Sequence, residues 1–167
     1  MRIDFYRELE EELRKRGFLM ITTKDGLESR LLYLGRHSIN GVKDPERYAE
    51  HLRENYDFAA VKNVSFEIGG ESATGFYEIL GGSRACWPFP TIFINLKHRD
   101  RLYKVAYQCS DIGFHTERGG CEAAVEYVVE SIRYLTSRLA DVLCEWTCEG
   151  AFPTHRFAEG SEELIMR

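Results

Sequence analysis

The feature that most constrains this chain is an apolar repeat between Cys121 and Trp146. Val125, Val128, Ile132, Leu135, Leu139, Val142 and Trp146 follow one another at alternating spacings of three and four, which is a heptad seam on one face of a helix. A helix carrying that seam is about 40 Å long at 1.5 Å per residue. A strand of usual length reaches about 20 Å. One small sheet therefore leaves part of the seam uncovered. The remainder is expected to meet another helix, either the first helix of the same chain or the same helix of a second copy.

The other elements read from shorter signals. Asp4 is expected to cap a first helix. Phe5, Leu9 and Leu13 form its apolar stripe, and Gly17 with Phe18 ends it. Its charges run from acidic (Glu8, Glu10, Glu11, Glu12) to basic (Arg14, Lys15, Arg16), an order that suits the helix dipole and reads as a solvated face. Phe18–Thr23 and Leu27–Leu34 flank the turn signal Lys24-Asp25-Gly26 and predict a hairpin. Asp44-Pro45 opens a second helix that ends near Asn55. Strands follow at Phe58–Ile68, Phe76–Leu80, Thr91–Lys97 and Arg101–Cys109. The pattern predicts an α+β fold, an antiparallel sheet made of a hairpin plus a meander of about four strands. Two shorter helices and one long C-terminal helix pack it. The expected organisation is a single domain over 1–146 with a tail, 147–167, packed on the body or on a partner. Ser161–Met166 reads as a single capped turn.

Composition excludes several classes. The chain has 167 residues, 44% of them apolar, with ten Phe, nine Tyr and two Trp, which does not fit disorder. No run of about 18 apolar residues exists, which argues against a membrane span. The N-terminus is acidic and amphipathic and does not read as a signal peptide. With 22 basic and 27 acidic residues the net charge is −5, which argues against nucleic-acid backbone as the main partner. Five cysteines, an odd number without an export signal, predict free thiols in a reducing, cytoplasmic setting.

One polar stretch carries residues for chemistry, the loop expected from Asp111 to Cys121. The start of a long helix offers free amides and positive partial charge. Gly119 and Gly120 leave those amides open, while Glu117 and Arg118 flank them, so these four are the candidate ligand-binding residues for an anion. Cys121 in the first turn, His115 as base and Asp111 or Glu117 as orienter are the residue types of a Cys-His nucleophilic site. A plain strand-to-helix connection with capping acids explains the same residues. Cys144, Cys148 and His155 do not complete a familiar zinc pattern, and no metal or other cofactor is expected. Lys97–Lys104 is a basic hairpin with neighbouring tyrosines, a weak nucleic-acid signal. Walker A, GxGxxG, GxSxG and HExxH motifs are absent.

The leading expectation is thus a small intracellular protein-binding or assembly module, non-catalytic and homo-oligomeric, with another protein as a further possible partner. Its interface would use Ile132, Leu135, Leu139, Val142 and Trp146 from the seam, with Trp87 and Phe89 from the aromatic proline segment. The alternative is a small hydrolase or transferase acting through Asp111–Cys121 on an anionic ligand. Nucleic-acid binding by the Lys97–Lys104 hairpin is the weaker third reading.

Overall fold

The computed structural model describes residues 2–21, 44–68, 71–82, 89–98, 101–149 and 163–166. In chain order these form α1 (Arg2–Lys15), β1 (Leu19–Met20), α2 (Pro45–Asn55), β2 (Phe58–Ile68), β3 (Glu71–Gly81), β4 (Thr91–His98), β5 (Arg101–Gln108), α3 (Ile112–Glu149) and β6 (Glu163–Met166). All strands join one antiparallel sheet in the order β1-β2-β3-β4-β5-β6. The architecture is α+β, as the alternation of short apolar strands and helical periods predicts.

Strand alternation divides the sheet into two apolar faces. Register places Ala60, Ile79, Ile92 and Tyr107 in one row across β2–β5, and this face packs against α1 and α3. The neighbouring row, Val61, Glu78, Phe93 and Ala106, points the other way. That second face takes Ala49 and Leu52 of α2, with Tyr48 edge-on to Phe76 at 5.7 Å. Glu78 is buried within it and accepts a hydrogen bond from the Asn95 side-chain amide.

The helix ends follow local chemistry. Gly17 sits at φ 87°, where its amide donates to Arg14 O at 3.1 Å and the Phe18 amide to Leu13 O at 3.0 Å. These are the paired bonds of a Schellman end. Asp44 caps α2, its carboxylate accepting from the Arg47 amide at 3.2 Å.

Four expectations change. α1 begins at Arg2, so Asp4 lies inside the first turn and is not the cap. β3 starts at Glu71, five residues before the apolar run, because pairing with β2 carries the polar stretch Glu71–Gly75 along. Residues 112–119 are helical and join α3 at Gly120 (φ 71°, ψ −160°). The expected Asp111–Cys121 loop is therefore a kinked helix start. The chain end is a strand, β6 on β5, and not a capped turn. The return strand of the Lys24-Asp25-Gly26 hairpin lies outside the described residues.

Candidate functional site

At the amino end of α3, side chains pack mainly on one another. The His115 ring stacks on Tyr127 with centroids 4.2 Å apart and planes at 18°. Phe114, 55% exposed, meets His115 edge-on at 5.5 Å and carries the Arg118 guanidinium over its face at 5.0 Å. The Tyr107 and Tyr127 hydroxyls share a hydrogen bond of 3.3 Å. Burial pushes the Tyr127 phenol well above its ordinary range, with the Tyr107 bond adding to the shift. Beneath it, burial pushes the Cys109 thiol up to about 12, opposed by a Ser131 hydrogen bond.

This arrangement does not assemble the nucleophilic relay. Among the described residues no hydrogen bond links His115 to the Asp111 carboxylate or to the half-buried Cys121 thiol; the bond between residues 111 and 115 is the His115 amide to Asp111 O, 3.2 Å. Asp111, Glu117, Arg118, Gly119 and Gly120 are all exposed. Helical turns 112–119 precede Gly120, so the amides proposed for an anion do not lie at the start of the helix. Neither cleft described below is lined by any of these residues.

The expected interface residues separate into two sets. Leu135 is 1% exposed in the chain's own core, and Val125 and Val128 are buried beside it. Ile132 and Phe89 are half-buried against the same core. The first half of the seam is thus closed within the chain. Leu139, Val142 and Trp146 continue the seam on the α3 backbone, but their side chains, like Trp87, lie outside the described residues. So do Cys144, Cys148, His155 and the side chains of the Lys97–Lys104 hairpin. Among the described residues no group of His, Cys, Asp and Glu could hold a metal ion, and no helix is long and apolar enough to cross a membrane.

A larger feature was not singled out from the sequence. α1 and α3 leave a cleft of about 570 Å³ between them. One wall carries Glu8, Glu11 and Glu12, and the other Glu122, Glu126 and Glu130. Val125 and Val129 form part of the floor. Glu130 pairs with Arg133 at 2.6 Å and Glu12 with Lys15 at 3.1 Å. Glu8, Glu11, Glu122 and Glu126 make no ion pair among the described residues. A second cleft of about 400 Å³ shares Arg16, Val129 and Arg133 with the first, and runs on over Phe18, Tyr77 and Ile132. There the Lys62 ammonium lies over the Phe18 ring at 5.8 Å and donates to Arg16 O at 2.6 Å. The Tyr77 hydroxyl reaches Thr136 at 3.0 Å. The sequence signal was the spacing of four in Glu122, Glu126 and Glu130, flanking Val125 and Val129. Such a stripe reads as solvated until a second helix is known to face it.

Comparison of the whole chain with known proteins found no matching family model, no matching curated protein and no matching solved structure.

Proposed function

We propose that this protein is a non-catalytic binding and assembly module that self-associates through the far half of α3. One observation carries the reading: α1 is too short to accompany α3. The residues just past its end, Arg16 and Phe18, lie beside Val129–Ser137. α3 runs on to Glu149, and the apolar spacing runs on with it through Leu139, Val142 and Trp146. From Cys121 to Glu149 the helix extends about 43 Å, whereas the 14-residue α1 extends about 21 Å. A second copy of the helix is the partner that matches a heptad seam in period. A reducing, cytoplasmic setting completes the reading, supported by a fully buried free thiol at Cys109.

Light scattering over a concentration series tests it. The wild type should report twice the chain mass or more at micromolar concentration. Val142→Lys should lower that to a single chain while the circular dichroism spectrum stays helical. A wild type that remains monomeric at high concentration removes the proposal.

A further inference from the structure

We infer that the α1/α3 cleft is a docking groove for a basic amphipathic helix of a partner protein. The inference rests on the reading of the protein as a binding module, and not on self-association. Charge supplies the first argument. Four carboxylates on two facing helices, Glu8, Glu11, Glu122 and Glu126, make no ion pair among the described residues, and the six glutamates of the cleft outnumber its two arginines, Arg16 and Arg133. Like charges facing one another across a groove oppose closure of the helix pair. A cationic occupant reverses the sign of that interaction.

Shape supplies the second. The two clefts share Arg16, Val129 and Arg133, and their linings on α3 extend from Glu122 to Ser137, a length of about 22 Å or four helical turns. A groove between two helices is the usual seat of a third, whose apolar anchors recur every three or four residues. Ile132 is half-buried, and Val125 and Val129 keep only 5% of their surface each, so the floor offers such anchors a narrow apolar seam at the same period.

The charge changes sign along the groove, and this selects the occupant. Beyond the glutamates stand Arg16, Lys62 and Arg133. A uniformly cationic chain or a small polyamine is repelled there. A helix with lysines or arginines over the glutamates, and its carboxyl end or an acidic residue over the cations, matches both halves. Nucleic acid is excluded by the carboxylate walls. The α1 helix of a second copy has a suitable order of charges, but its apolar stripe, Phe5, Leu9 and Leu13, is already buried in its own core.

The probe is a synthetic helical peptide with lysines in its first two turns, leucines along one face and a glutamate in its last turn. It is followed by fluorescence anisotropy with the full-length protein. Binding should saturate and weaken as salt rises. It should weaken about tenfold in the double variant Glu122→Lys/Glu126→Lys, since two favourable pairs become two repulsions. The circular dichroism of that variant should match the wild type. Glu54→Lys/Glu46→Lys on α2, a face away from the groove, is the control and should bind as the wild type does. Absence of binding to the wild type, equal affinity of the charge-reversed variant, or equal affinity of spermine or a proline-interrupted peptide overturns the inference. Light scattering on the same samples reports self-association separately, so either idea can fail while the other stands.

Discussion

Gly120 shows how much one residue decides here. Its positive φ lets the helical turns 112–119 meet the rest of α3 at an angle, and open space surrounds the position where a Cβ would sit. The obstacle to substitution is therefore backbone strain, which for an L-residue in this nearly glycine-only region is about 1–3 kcal/mol. Gly120→Ala should lower thermal stability by about that amount, and Gly120→Val by more. Gly113 also has nothing within 4 Å of its Cβ position but is helical without a positive φ. Gly113→Ala should raise stability by about 0.5 kcal/mol. Paired melting curves for the two alanine variants should move in opposite directions. Cys109 makes a second residue-scale test. Its thiol is neutral and buried, with its pKa raised to about 12 from an ordinary value near 9. The folded state thus holds a proton that the unfolded state releases above pH 9. The stabilisation is complete below that pH and is lost as pH rises toward 12, at a rate of up to about 1.4 kcal/mol per pH unit. Denaturant titrations between pH 8 and 11 should show this slope, and Cys109→Ala should flatten it between pH 9 and 10, above which the raised Tyr77 and Tyr127 phenols add a slope of the same sign. In native protein Cys109 should resist alkylation, whereas denatured protein without reductant should yield five thiols.

At the scale of elements, α3 behaves as two helices with different duties. Its near half is core: Leu135→Ala should destabilise the chain by about 2–5 kcal/mol, whatever the protein concentration. Its far half carries the oligomer reading, so Val142→Lys should change mass and leave the near half intact. Most elements were legible because their signals are local. The cap Asp44, the Schellman glycine Gly17 and the apolar run Phe58–Ile68 each act through neighbours in the chain. The misreadings came where distant partners decide. Glu71–Gly75 is a strand because β2 lies opposite it, and Glu163–Met166 because β5 does. Residues 112–119 are helical although Gly119-Gly120 reads as a turn, since Ile112 is buried against the core and anchors that segment. Of the candidate sites, the residues Asp111 to Cys121 were legible as types, but the stacking of His115 on Tyr127, whose hydroxyl is bonded to Tyr107 of β5, was not. The cleft stayed hidden because its walls come from helices more than a hundred residues apart.

For the molecule as a whole, charge is distributed unevenly relative to a net −5. Carboxylates concentrate where α1 faces α3, so the free protein carries a local repulsion within its helical layer. Exposed pairs of this kind are screened by salt, with a Debye length near 10 Å at 0.1 M. Raising salt from 0.01 to 0.3 M should therefore raise the melting temperature of the unliganded protein, and charge reversal at Glu122 and Glu126 should remove most of that rise. The same salt should weaken the peptide complex, so free and bound protein should respond with opposite sign.

The sheet order also sets a sequence of events in folding. β2, β3, β4 and β5 each pair with the next strand along the chain, and β2–β3 and β4–β5 are separated by only two residues. β6 is different: residues 109–162, α3 among them, intervene before it meets β5. Closing so long a loop, against one of two residues, costs about 3 kcal/mol more in chain entropy unless α3 has already docked. A four-residue edge strand returns little of that. β6 should consequently pair after β2–β5 and open before them. Its amides should exchange with deuterium well ahead of those in β3 and β4, by way of a partly open form in which β5 becomes a bare edge.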